Sequence, residues 1–182
     1  PWVGAAIESA LSQTWSPLEV LVHDDGSTDG SAEVIERFGD RVIATRGANQ
    51  GQNASRNHLT NTSHGEWVAF LDADDEFPVT HIATMMAHIE GAQAVYSSVE
   101  KVFYEGSRVF DRHMEPAEDF ADPWCAAFLW RYPNTSSFLI RRDAVLDAGG
   151  WNEEVHNCTD YALYFDLLLN GATFRAASDT SV

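Results

Sequence analysis

The chain of 182 residues is 45% hydrophobic and 12% aromatic, which suits one globular domain with an ordinary core and excludes a disordered chain. Lys and Arg total 11 against 28 Asp and Glu, a formal net charge of −17; a surface that acidic repels phosphate polymers and anionic lipid, so no nucleic acid is expected as a partner. Purely apolar runs such as Val68 to Leu71 fall far short of the roughly 20 residues of a membrane span, so no integral membrane segment is expected.

In chain order, Val3, Ala6, Ile7, Ala10 and Leu11 recur at three-four spacing and predict a helix reaching Gln13. Leu18 to His23 (LEVLVH) is short, apolar and β-branched, the pattern of a buried strand. It runs into Asp24-Asp25-Gly26-Ser27-Thr28-Asp29, after which Ala32, Val34, Ile35 and Phe38 predict a second helix. Arg41 to Thr45 reads as a strand, Gly51 to Thr62 as a helix of small and polar residues, and Glu66 to Leu71 (EWVAFL) as a strand ending in Asp72-Ala73-Asp74-Asp75. Thr80 to Glu90 is helical and Ala94 to Val99 a strand. Beyond Tyr104 the alternation weakens. Lys101 to Arg112 reads as a hairpin turned at Glu105-Gly106, and Asp122 to Trp130 as a short aromatic helix. Ser136 to Ile140 is a strand, Asp160 to Leu169 a helix and Ala172 to Ala176 a strand.

Strands alternating with helices predict an α/β fold, a mostly parallel sheet with helices on both faces. Ligands of such sheets bind beyond the carboxyl ends of the strands. Both acidic clusters directly follow a strand, so they are expected to share one crevice. Cys125 and Cys158 are too few for a disulfide framework and form no metal-type pair; they predict free thiols and a reducing, cytoplasmic location.

Three chemistries suit the acidic clusters. Asp25 to Glu36 has the spacing of a calcium loop, but that motif needs an entering helix, and LEVLVH is a strand. FLDADDEF resembles a phosphoaspartyl nucleophile, which needs a lysine; Lys101 is the only one in the chain. The third is a divalent cation held by Asp74 with Asp72 next to a nucleotide, because a small hard ion takes most of its ligands from water and diphosphate. Four acids within residues 72–76 repel one another unless a cation relieves them, which favours this last reading.

An ordered set of motifs then resembles inverting glycosyltransferase family 2, with its Rossmann-like GT-A nucleotide-sugar fold. They are Ala6 to Gln13, Glu19 to Asp29, Asn49-Gln-Gly-Gln-Asn-Ala-Ser-Arg-Asn57, Gly65 to Asp75, Phe138-Leu-Ile-Arg-Arg142, Gly149-Gly-Trp-Asn-Glu153 and Thr159-Asp160. The resemblance implies a single domain over 1–182, with a nucleotide-binding half at 1–99 and an acceptor-binding half at 100–182. Asp160 is then the catalytic base, Asp74 and Asp72 bind Mg²⁺ or Mn²⁺, and Asp24, Asp25, Arg56 and Asp72 meet the nucleotide, with Arg56 near the base or its phosphates. The implied partners are a nucleotide sugar, UDP as carrier, and a saccharide or lipid-linked glycan acceptor in surface polysaccharide or glycan synthesis. Trp124, Trp130 and Trp151 fall on the acceptor side.

Thr159 departs from the glutamate usual in this family, and Asp166 lies where an arginine is common. The family's opening apolar strand is missing, so the 182 residues are expected to be part of a longer protein, and the strands at Leu18 and Val68 to lack a shared neighbour. A catalytically silent nucleotide-sugar or glycan-binding module is the alternative that Thr159 and the missing strand suggest.

Overall fold

A computed structural model describes residues 2–106, 108–119, 121–129, 131 and 133–177. Its elements are α1 (Trp2–Leu11), β1 (Leu21–Asp24), α2 (Ser31–Glu36), β2 (Ile43–Arg46), α3 (Gln52–Thr62), β3 (Trp67–Ala69), α4 (His81–Met86) and β4 (Ala94–Ser97). There follow β5 (Val99–Glu105), β6 (Arg108–Glu115), α5 (Pro123–Phe128), β7 (Phe138–Arg141), α6 (Arg142–Asp147), α7 (Thr159–Leu169) and β8 (Phe174–Ala177). Trp130 lies outside the described residues.

The central sheet has the order β3-β7-β4-β8. Side chains alternate across it, as period-two geometry requires. Ala94 and Tyr96 of β4, with Phe138 and Ile140 of β7, face a core shared with Ala126 and Ala127 of α5, Val145 of α6 and Leu163 and Leu167 of α7. Val95 and Leu139 point the other way, to Met85 of α4. Helices therefore cover both faces, as the α/β pattern predicts.

The expected mostly parallel sheet needs correction. β1 and β2 are parallel, as are β4 and β8, but β7 runs antiparallel to both β3 and β4, with Ile140 beside Val68 and Ala94. The physical reason is the route of the chain. The β3-α4-β4 crossover leaves one strand's width open, and the β5-β6 hairpin brings the chain back to the end at which β4 leaves. Ala117 N donates to Ser98 Oγ there, and Phe138, which opens β7, pairs with Tyr96. From that end the filling strand has to run the other way.

β1 and β2 form a separate pair. A cavity of about 630 Å³ is lined by Val22 of β1, Val68 of β3, Ile7 of α1 and Leu59 of α3. Among the described residues β1 pairs only with β2, and β3 only with β7, so these two strands lack a shared neighbour, as expected. A few polar links join the parts around the cavity. Glu19 Oε1 accepts from His64 N (2.6 Å) and Gly65 N (2.9 Å). Gln13 Nε2 donates to Pro78 O (2.8 Å), and its Oε1 accepts from Ile82 N (2.9 Å).

Candidate active site

β1 delivers its last residue, Asp24, into the interior at 4% exposure. Asp24 Oδ1 accepts from Ser27 N (2.9 Å), and Arg46 Nε stands 3.0 Å from Oδ2, an ion pair without hydrogen-bond geometry. Ser27 holds the carboxyl below the ordinary aspartate range; burial acts against it, and the Arg46 charge adds to it. Asp25 has another task here. Its two oxygens accept from Gln50 N and Gly51 N, both at 2.8 Å, which puts a negative charge at the start of α3, where helix N–H groups lack partners. A Cβ on Gly26 would meet Asn49 N at 2.9 Å, so the glycine lets this turn close onto the 47–51 loop.

The second acidic turn leaves β3. Asp75 N donates to Asp72 O (3.0 Å), closing a tight turn with Asp74 exposed. Ser136, just before β7, accepts from Asp72 N (3.2 Å) and donates to Asp75 Oδ2 (2.5 Å). Burial raises Asp75 above the ordinary range, Ser136 opposes this, and Asp72 and Asp74 add to it. Both Asp74 and Asp75 are exposed, but Asp75 is held by Ser136.

Arg56 joins the parts. It is 7% exposed, its Nη2 donates to Asp72 Oδ1 (2.7 Å), and its Nη1 to Thr159 Oγ1 (3.1 Å) and Asn53 Oδ1 (3.5 Å). Its guanidinium carbon lies 4.5 Å from the Trp151 ring centroid, a cation–π contact in a buried setting. Trp151 in turn meets Phe70 edge to face at 5.1 Å. One side chain therefore ties the acidic turn of β3 to the start of α7.

Asp160 occupies the first turn of α7. Cys158 precedes that helix in the left-handed region (φ 53, ψ 45), the only non-glycine described there, a backbone cost that clusters at functional sites. Burial raises Asp160 above the ordinary range; the Tyr161 N–H opposes this, as does the Arg56 charge, while Asp72 adds to it. Asp160 follows Thr159, which accepts from Arg56 Nη1, and so lies near the Arg56–Asp72 pair without lining the cavity that these two share.

Of the residues singled out from sequence, Asp24, Arg56 and Asp72 line one cavity, Asp74 stands in the Asp72 turn, and Asp25 anchors the helix that carries Arg56. The contacts described for Arg56 are with protein groups rather than toward open solvent. Trp124 packs against Phe165 (5.5 Å) and Trp151 is core, 1% exposed. The sequence reading missed Ser136, which has no local signal, and Asn53, which shares a helical face with Arg56 and Asn57 and was visible as a polar i, i+3, i+4 stripe. No group of three or more His, Cys, Asp and Glu among the described residues is arranged to hold an ion. Asp74 and the second oxygen of Asp72 are what the turn offers, a donor set that fits a hard cation completed by water and phosphate. No described helix is long and apolar enough to cross a membrane.

The family model described as Glycosyl transferase family 2 matches residues 1–153, ending just before the turn that leads into α7. A GalNAc(5)-diNAcBac-PP-undecaprenol beta-1,3-glucosyltransferase of Campylobacter jejuni is 34% identical over 159 residues, 83% of this chain and 50% of its own length. Staphylococcus aureus TarS 1-349, solved with UDP-GlcNAc, superposes with a TM-score of 0.73 at 20% identity, over 98% of this chain and 53% of its own. The mannosyltransferase PcManGT of Pyrobaculum calidifontis, solved with GDP-Man and Mn²⁺, gives 0.70 at 17%, over 98% and 51%. At such identities the structural likeness speaks to the fold alone. The chain matches between 13% and 56% of the length of its curated relatives.

Proposed function

The chain belongs to glycosyltransferase family 2, and from that premise we propose that it transfers a sugar from a nucleotide diphosphate sugar, with UDP as carrier, to an acceptor hydroxyl with inversion. The observation that carries the reading is the Arg56 bridge from Asp72 to Thr159, which sets a half-buried carboxylate, Asp160, against an acidic turn. Residues 1–99 form the nucleotide side and 100–182 the acceptor side, with β7 and β8 from the latter completing the sheet.

Asp25, or Asp24, would accept the ring N–H of the base; each carboxylate oxygen has a second lone-pair direction beyond the contacts above. Asp74 and Asp72 would hold Mg²⁺ or Mn²⁺, which supplies a Lewis acid for a departing diphosphate. Arg56 keeps Asp72 in place from behind. Asp160 accepts the acceptor's proton as its oxygen attacks; its neighbours Arg56 and Asp72 act on the carboxylate in opposite directions. The relative of known linkage uses an undecaprenol-linked substrate by its name, so a lipid-linked glycan is the acceptor class we assign. The exposed thiols of Cys125 and Cys158 fit a reducing, cytoplasmic setting.

The test is hydrolysis or transfer of UDP-, dTDP- and GDP-sugars with Mn²⁺, run on wild type and Asp160→Asn. Loss of roughly 10² to 10⁴ in turnover is expected for the variant; undiminished transfer overturns the assignment. UDP titration of Asp74→Ala with and without Mn²⁺ is expected to show no metal dependence, in contrast to wild type. UDP binding with no turnover of any donor by wild type leaves the binding-module alternative, consistent with Thr159.

A further inference from the structure

Two carboxamides on α3 do more than line a helix face. Asn53 is 5% exposed, and its Nδ2 donates to Asn152 O (2.7 Å) and Val155 O (3.0 Å). One turn on, Asn57 Nδ2 donates to Trp151 O (2.8 Å) and Glu153 Oε1 (2.9 Å), while its Oδ1 accepts from Trp151 N (2.8 Å). Gly150 leaves room for this: at φ +76 its Cβ position would fall 2.6 Å from Asn57 Oδ1. The loop 151–155 is thus fastened to α3 by five hydrogen bonds from two side chains, and Asp160 follows its last fastened residue by five positions.

We propose that Asn53 and Asn57 are positioning residues, a latch that fixes the first turn of α7, and with it Asp160, against the acidic turn of β3. The proposal rests on the reading of Asp160 as base. The body of α7 is secured independently, since Leu163, Tyr164, Leu167 and Leu168 are all buried in the main core. Its first turn is held less deeply, with Tyr161 only half-buried against that core and Thr159 the one buried residue ahead of Leu163. Thr159 meets Arg56, Cys158 turns through a left-handed conformation, and the residues from Asn152 to Cys158 are exposed or half-buried. Freed of the latch, the helix stays seated while its catalytic end drifts. Asn57 makes none of the contacts that hold Asp24, Asp25 or Arg56, whereas Asn53 Oδ1 also accepts from Arg56 Nη1 at 3.5 Å, so Asn57→Ala is the variant that spares the donor side. A carboxylate at 53 would face two carbonyl oxygens with no donor to offer, so Asn53→Asp is a sharper probe than Asn53→Ala.

The experiment measures donor turnover, UDP affinity and amide hydrogen exchange over residues 156–162 for wild type, Asn53→Ala, Asn53→Asp, Asn57→Ala and Asp160→Asn, each first shown to melt cooperatively. The latch variants are expected to lose roughly 10- to 100-fold in kcat, the scale of a small misplacement of a reacting group. For Asn57→Ala, donor KM and UDP Kd should stay within about twofold, and in every latch variant exchange at 156–162 should accelerate while α7 beyond Leu163 stays protected. Adding Asn57→Ala to Asp160→Asn should then cost no further turnover, because the latch acts through that carboxylate. Latch variants with wild-type kcat, beside an inactive Asp160→Asn, overturn the proposal and leave the base reading standing. Full turnover by Asp160→Asn overturns the base reading, and exchange at 156–162 then decides the latch by itself: unchanged exchange refutes it.

Discussion

The stretch from α1 to α3 and the sheet that follows are held together differently. The first has a small apolar cluster, Ile7, Ile35 and Val42, under a two-stranded sheet. The second surrounds β4 and β7 with the continuous core that holds Phe138, Ile140, Trp151, Leu163 and Leu167. Between them lie a cavity and polar links: Glu19 to His64 and Gly65, Gln13 to Pro78 and Ile82, Arg142 Nε to Thr60 O (2.9 Å), and Arg56 to Asp72 and Thr159. The candidate crevice sits on this joint. A joint of hydrogen bonds can give locally without unpacking a core.

Cavity-creating substitutions test that contrast most strongly. Leu167→Ala, in the centre of the large core and fully buried, should cost about 4 kcal/mol; Ile7→Ala, beside the cavity, should cost about 2 kcal/mol. Urea melts give the two values. Equal costs would mean that the first stretch is as tightly packed as the second. Next comes pH. His81 of α4 is buried, its Nε2 without a hydrogen bond and its ring stacked on Phe77 (4.3 Å), and burial lowers its pKa to about 4 from 6.5. The unfolded chain therefore binds the proton first as pH falls from 6.5, so stability is complete above that value and declines toward pH 4, by about 3 kcal/mol at the lower end. His81→Leu should remove this component from the difference between melts at pH 7 and pH 4.5, whereas an unchanged difference would acquit the imidazole. Smallest is the joint itself: Gln13→Ala removes the bonds to Pro78 O and Ile82 N and should cost about 1 kcal/mol. Amide exchange should rise in α1 and the Phe77–His81 segment and not in β4; a uniform rise would show that the two parts unfold as one.

Much of the architecture was legible because period-two and three-four patterns report burial directly. LEVLVH, EWVAFL and the stripe from Val3 to Leu11 gave elements close to β1, β3 and α1. Direction was not legible: the pattern of Phe138 to Ile140 states that both faces are covered, and says nothing of which neighbour the strand runs against. α6 escaped because six residues are too few for a period to be counted. At the site, the acidic turns were visible as residues that follow strands, yet the partners of Arg56 lie 16 and 103 positions away in sequence. Its burial on Asp72 and Thr159, and the engagement of Asp25 by the start of α3, are settled by tertiary packing alone. Ser136 reaches Asp75 from a distant segment for the same reason.

The void between β1 and β3 bears on the crevice above it. Asp24, Arg56 and Asp72 line that same void, so its span is the calliper that sets how far apart the two carboxylate-bearing strand ends stand. An extended segment zipped into it would gain backbone hydrogen bonds along two open edges and apolar contact in one step, and would lock the distance between those strand ends.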